Sequence, residues 1–283
     1  MARRDGAKRG WLARATLVAG MMMAGLIATP ALAASTGYDA LAKLFDEWRA
    51  FERPAMADGV ADYGAAAMAR KAAGLAAFQE KLAAIPTAGW TEAELVDHRL
   101  VAAEMNGLDF DLRVLRPWAR DPAFYVSVWP ERSDVPSREG PVSFPEIELY
   151  AYKFPLAKAD QAVLTRQFAA IPGFLAQARA NLKDSTARDL WVYGTQSLRN
   201  QAEALARLEA GTLTVTTLEG AWNANLNGAS PALSTAVAKA RAATEDFVRW
   251  LEAEAPGKTG PSGVGKENYA WYLNNVHLVP YSW

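Results

Sequence analysis

The chain has 283 residues, 51% of them hydrophobic and 22% charged, with 20 Gly, 15 Pro and no Cys, the profile of a folded chain rather than a disordered one. Thirty Lys and Arg against 31 Asp and Glu create no basic field, so no nucleic-acid partner is expected. The absence of Cys removes disulfides, thiolate metal sites and cysteine nucleophiles, and with two His any metal would depend on carboxylates.

Residues 1–33 read as a signal peptide. Arg3, Arg4, Lys8, Arg9 and Arg14 form a basic start, Ala15 to Ala28 is an uncharged and mostly apolar run, and Ala31-Leu32-Ala33 is a small-x-small cleavage site before Ala34. The apolar run is shorter than the roughly 20 residues that span a bilayer. No stable membrane span is expected after cleavage, and the remaining chain, with 25 Lys and Arg against 30 Asp and Glu, carries a charge of −5. A periplasmic or secreted location follows, with ATP an unlikely companion there.

Residues 34–283 read as one helical domain. Helices are expected over Tyr38 to Phe51 and Ala65 to Ile85. Thr91-x-x-Glu94 is a capping box, and the 4,3,4,3,4 spacing of Val96, Leu100, Ala103, Gly107, Phe110 and Val114 makes an apolar stripe on a helix from Thr91 to Leu115, stopped near Pro117. Leu100, Val101, Leu108 and Phe110 are expected to be buried. Phe124 to Trp129 and Glu148 to Phe154 look extended and able to pair as a small hairpin around the proline-rich stretch Pro130 to Pro145, a loop or a cleft lid. Further helices are expected over Ala159 to Ala170, Pro172 to Leu182, Ala187 to Ala210, from Ser230-Pro231 onward, and over Lys266 to Asn275. Thr216-x-x-Glu219 reads as a second capping box. The fold class is all-α, a multi-helix array or bundle with at most one short β-hairpin.

Candidate chemistry is sparse. Gly260 to Lys266 fits the first seven places of a phosphate-binding loop, but Glu267 stands where a magnesium-binding hydroxyl is needed, and a helical segment precedes it where a strand is required. His98 follows Glu94 by four residues on one helix face, short of the three protein ligands of a catalytic zinc, and His277 lies in an apolar run; both read as structural. No serine-triad setting is present. Glu146 and Glu148 could pair as glycosidase carboxylates, though a solvated acidic edge explains them equally. Tyr125, Trp129, Tyr269 and Tyr272 are candidates for the wall of a substrate cleft.

Asp97, Trp118, Asp121-Pro122-x-x-Tyr125 and above all Gly265-Lys-Glu-Asn-Tyr269-Ala-Trp-Tyr272-Leu273 resemble the amino-terminal half of the bacterial "domain of unknown function 885" proteins. The resemblance, from about Tyr38 onward, implies an exported or lipid-anchored, largely helical protein of a family regarded as zinc metallopeptidases. It also implies that the zinc motif, a histidine–glutamate pair followed by glycine–proline–glycine–histidine–histidine, belongs to a carboxyl-terminal half, so zinc is expected only with that half and no catalytic or metal role transfers to this chain. Pro280-Tyr281-Ser282-Trp283 looks like a helix start with nothing following it, which suggests truncation. The expected role is a non-catalytic half, inactive alone, that meets a peptide substrate or its missing half; a self-sufficient periplasmic binding or scaffold module is the alternative.

Overall fold

A computed structural model describes residues 37–57, 59–132 and 146–283. The signal segment 1–33 and most of the Pro130 to Pro145 stretch lie outside the described residues.

The first three helices, α1 (Tyr38–Phe51), α2 (Ala65–Ala83) and α3 (Glu92–Phe110), form around one apolar cluster. Leu41, Leu44 and Trp48 of α1 meet Leu75 and Leu82 of α2 and Val101 and Met105 of α3. The capping box forms as its sequence dictates: Thr91 Oγ1 accepts from the Glu94 amide and the Glu94 carboxylate accepts from the Thr91 amide at 2.8 Å. The far end of α1 is held by α2, whose Lys71 ammonium donates to the carbonyls of Phe51, at 2.5 Å, and Arg53, at 2.8 Å. That placement satisfies orphan carbonyls of the α1 terminus.

A larger cluster gathers around three long helices, α5 (Lys158–Leu182), α6 (Arg188–Ala210) and α7 (Pro231–Glu254). Phe168, Ile171, Phe174, Trp191, Leu205 and Phe247 are fully buried there. Ser230 caps α7 by accepting from the Leu233 amide, with Pro231 at the first position, as its sequence suggests. Gln201 of α6 ties the layers: its side-chain oxygen accepts from the Ser127 and Val128 amides at 2.7 and 3.1 Å, and its amide donates to Thr244 of α7 at 3.3 Å.

Several expectations are corrected. The two helices foreseen on either side of Ile171 are one helix, α5, with Pro172 inside it. The missing backbone donor costs about 3 kcal/mol, but Phe168, Ile171, Phe174 and Leu175 are all buried, each worth roughly 1.5–3 kcal/mol, so packing carries the helix across. The second capping box does not start a helix: residues 213–224 form a hairpin of β5 (Leu213–Thr217) and β6 (Gly220–Ala224). Leu213 and Val215 point inward while Thr214 and Thr216 face out, the period of a strand. Thr217, rather than Thr216, makes the local bond, accepting from the Glu219 amide at 3.2 Å in the turn.

The extended pair near Trp129 also differs. β3 (Val128–Trp129) and β4 (Ile147–Glu148) pair in parallel, not as a hairpin, and both flanks coil into short 3₁₀ turns at Pro122–Tyr125 and Leu149–Ala151. A third pair, β1 (Met56–Ala57) with β2 (Val60–Ala61), is antiparallel and precedes α2. The array is mostly helical as foreseen, with three two-stranded pairings among the described residues in place of one. Among the described residues no helix is long and apolar enough to cross a membrane.

Between the clusters the chain passes through a π turn, Asp111–Leu115, then Arg116 in the left-handed region (φ 44°), then the short helix α4 (Pro117–Arg120). Helix α8 (Lys266–Asn275) lies on α3, with Trp271 stacked on Phe110 at 6.1 Å and Asn106 donating to the Asn275 carbonyl at 3.0 Å.

Gly194 reports on how closely α6 meets the Pro122 turn, because a Cβ added there would lie 2.6 Å from the Ala123 nitrogen and 2.8 Å from Pro122 Cβ. Ala is the better helix former by about 1 kcal/mol, yet here the contact is with backbone. Gly194→Ala should lower unfolding stability in urea by roughly 1–3 kcal/mol; a gain in stability would show that α6 and the turn are not in contact.

Candidate functional site

A groove of about 750 Å³ opens between α1 and α3, within the usual range for ligand sites. The helices run in the same direction, as two links show. Tyr38 at the start of α1 donates to Asp97 near the start of α3 at 2.6 Å, and Arg49 near the end of α1 lies 3.7 Å from Glu104. One wall carries Tyr38, Leu41, Ala42, Phe45 and Asp46; the other carries Asp97, Leu100, Val101, Glu104, Leu108 and Asp111, and Val276 closes one end.

Leu100 sets the character of this site. The apolar stripe predicted it to be buried with Val101, Leu108 and Phe110; Val101 and Phe110 are buried, whereas Leu108 is half-buried and Leu100 is 50% exposed. The stripe is wider than the cluster it serves, and its outer edge is the groove floor.

The charge of the lining is one-sided. Asp46, Glu52, Asp97, Glu104 and Asp111 line it, and among the described residues no Lys, Arg or His does. Arg49 beside the wall pairs with Glu52 at 2.6 Å. Burial nevertheless raises the Glu52 carboxyl above its ordinary range, against the pull of Arg49. Accepting from Tyr38 leaves Asp97 able to hold that phenol protonated, so the Tyr38 pKa is raised. Asp111 enters the groove from the first residue of the π turn, and burial pushes its carboxyl from 3.8 up to about 7.

The residues singled out in the sequence are dispersed. Tyr125 is in the main core, fully buried, its hydroxyl donating to the Trp118 carbonyl at 2.6 Å and accepting from Asn181 at 3.0 Å. Trp129 is half-buried against the same core. Tyr272 packs on Phe110 at 4.7 Å, whereas Tyr269 is exposed and meets Trp283 edge-on at 5.7 Å. The four therefore do not share one wall. Glu146 and Glu148 flank buried Ile147 outside the groove, and Glu148 accepts from the Tyr150 hydroxyl.

The remaining resemblance residues have structural positions. Asp121 accepts from the Ala123 amide at 2.8 Å at the head of the Pro122 turn, and burial pushes its carboxyl up to about 6 despite that bond. Gly265, at φ 83°, starts α8. The loop from Gly260 to Lys266 follows α7, and Gly260 pairs with the α6 approach by donating to the Thr186 carbonyl at 2.8 Å.

A zinc centre does not fit the residues described. Glu94 is committed to the Thr91 cap, His98 Nε2 lies 3.4 Å from the Leu82 carbonyl with its ring edge-on to Trp90, and His277 packs on Tyr272. Among the described residues no three His, Asp or Glu side chains converge into a set that could hold a metal ion.

Among the groove residues Asp97, Glu104 and Asp111, only Asp97 stood out in the sequence, through the family resemblance; the apolar stripe beside them hid the other two. Their spacing of seven, on a helix, was the available signal: it places all three along one line.

Asp111 gives the site a pH signature. A carboxyl whose folded pKa is raised binds more protons folded than unfolded between about 4 and 7, so its contribution to stability is present below that window and lost as pH rises through it. Asp111→Asn should remove this decline, and the variant's urea midpoint should gain on the wild type between pH 4.5 and 7.5. Parallel profiles would place Asp111 in water.

Comparison with known proteins bears on the whole chain. A family of bacterial proteins of unknown function, DUF885, matches residues 30–281. No functionally curated protein matches. A solved structure from Shewanella oneidensis, described as a predicted lipoprotein of unknown function, is similar at 16% identity with a TM-score of 0.48, over 84% of this chain and 40% of that one.

Proposed function

Because the chain belongs to the DUF885 family, we propose that it is an exported helical recognition module that supplies one wall of a ligand cleft and performs no chemistry by itself. In this reading residues 1–33 are its export signal. Catalysis belongs to a carboxyl-terminal portion of the family protein, where the resemblance places the zinc motif. The observation that carries the reading is the α1–α3 groove: an apolar floor left open to solvent, rimmed by carboxylates.

An exposed apolar floor supports this reading on energetic grounds. Covering a Leu fully is worth roughly 1.5–3 kcal/mol, and Leu100 and Leu108 leave part of that unrealised. Open apolar surface of this kind, rimmed by polar groups, is characteristic of interaction sites. The lining offers acceptors and negative charge, and its Tyr38 phenol, donating to Asp97, is held protonated, which suits holding a ligand rather than transforming it.

The experiment is a paired assay on the purified chain. With zinc added or withheld, it should leave a mixture of fluorogenic peptides uncleaved, while immobilised protein retains a subset of those peptides and Leu100→Glu loses them. Zinc-dependent cleavage by this chain would overturn the non-catalytic reading, and retention unchanged in Leu100→Glu would overturn the groove. Export is checked by the amino terminus of the secreted product, which should begin at Ala34.

A further inference from the structure

Resting on the recognition reading above, we propose that the occupant of the α1–α3 groove is a cationic amphipathic helix of another protein, carrying Lys or Arg every seven residues beside an apolar stripe.

The argument starts from spacing. Asp97, Glu104 and Asp111 lie along the α3 wall at intervals of seven residues, two turns or about 10.5 Å each, and all three line the groove. Between them on the same wall stand Leu100 with Val101, then Gly107 with Leu108. Apolar surface thus fills both intervals of the carboxylate line. A helix laid alongside repeats its own face with nearly the same period, so basic residues seven apart meet the carboxylates while the residues between them meet Leu100 and Leu108.

The opposite wall agrees. Phe45 of α1 supplies apolar surface over the buried Leu41, Asp46 adds a carboxylate, and Glu52 adds another beyond the helix end. Arg49 is paired with both Glu52 and Glu104 at the edge, so it does not reverse the sign of the groove. An anionic ligand, including a phosphate backbone or an anionic lipid surface, would meet five acidic side chains and, among the described residues, no lining cation.

A helix fits better than an extended strand. The floor is side chains, with α1 and α3 keeping their backbone bonds to themselves, so an extended peptide would press unpartnered amides onto Leu100 and Leu108 at a cost. A helix brings its amides already satisfied. The carboxylate line is about 21 Å long from Asp97 to Asp111, which four turns of a partner helix would match.

The test uses the full chain and three synthetic 21-residue helical peptides of equal length: one with Lys at three positions seven apart beside a Leu stripe, one with the same residues and the lysines moved to the opposite face, and one with Glu replacing Lys. Fluorescence anisotropy should show the in-register Lys peptide binding at least tenfold tighter than the other two, about 1.4 kcal/mol. The advantage should vanish in Asp97→Asn/Glu104→Gln/Asp111→Asn, where the amide oxygen that replaces the Asp97 carboxylate can still accept from Tyr38, and circular dichroism checks that the variant is folded. If all three peptides bind equally well to wild type, the charge register is wrong while the recognition reading stands. If none binds, the recognition reading fails with it. An undiminished advantage in the triple variant would place the lysine contacts elsewhere and overturn the inference.

Discussion

The way α3 ends governs the rest. Its last α-helical turn gives way to the π turn Asp111–Leu115, Arg116 adopts a left-handed conformation, and Pro117 opens the next short helix. A non-glycine residue at φ 44° is strained, and it persists because both sides are anchored. Phe110 is buried just before it, and Pro117 and Tyr125 are buried just after it. One extra residue in a turn rotates the following side chains by about 100° relative to a plain helix. The turn faces two openings: Asp111 lines the α1–α3 groove, whereas Leu112 and Arg116 border a second cavity of about 740 Å³ toward α2 and α5.

The second cavity lacks the one-sided lining of the first. Gln177 and Asn181 there are already engaged, Gln177 accepting from the Tyr63 amide and donating to the Ala61 carbonyl, Asn181 donating to the Tyr63 carbonyl. Its polar groups hold the β2 region to α5 and so serve the fold. In the α1–α3 groove the polar groups are carboxylates, and several keep capacity to accept from an incoming donor. The concentration of negative charge is tolerated because it is divided among four means: Asp97 accepts from the Tyr38 hydroxyl, Arg49 serves Glu52 and Glu104, Asp46 remains near water, and burial raises the Asp111 carboxyl to about 7.

Much of the helical framework was legible because the signals were local. Thr91, Ser230 and Gly211 mark helix ends through bonds or backbone conformations that depend on one or two neighbours. What the sequence hid depended on distant partners. Pro172 stays inside α5 because Phe168 and Phe174 are held by other helices. The Thr216 capping pattern lost to the alternation of Leu213 and Val215, which stabilises only once the main core lies beneath it. β3 and β4 pair in parallel, a register no local pattern records. In the site, Asp97 was noticed through family resemblance, but Leu100 was assigned to the core, since periodicity says which face is apolar and not whether another element covers it. The aromatic candidates failed to converge for the same reason: Tyr125 is drawn into the core by Asn181 and the Trp118 carbonyl, far along the chain from Tyr269 on α8.

The central claim is that the α1–α3 groove is where a partner sits. Methyl-labelled protein titrated with a lysine-bearing amphipathic helix offers the most direct measurement, because groove and core methyls report separately in one spectrum. The Leu41, Leu100, Leu108 and Val276 methyls should shift with a single saturating dependence on peptide, while those of Leu164 and Leu205 in the main core stay in place. Shifts confined to residues near Tyr281 and Trp283, with the groove methyls unmoved, would contradict the account.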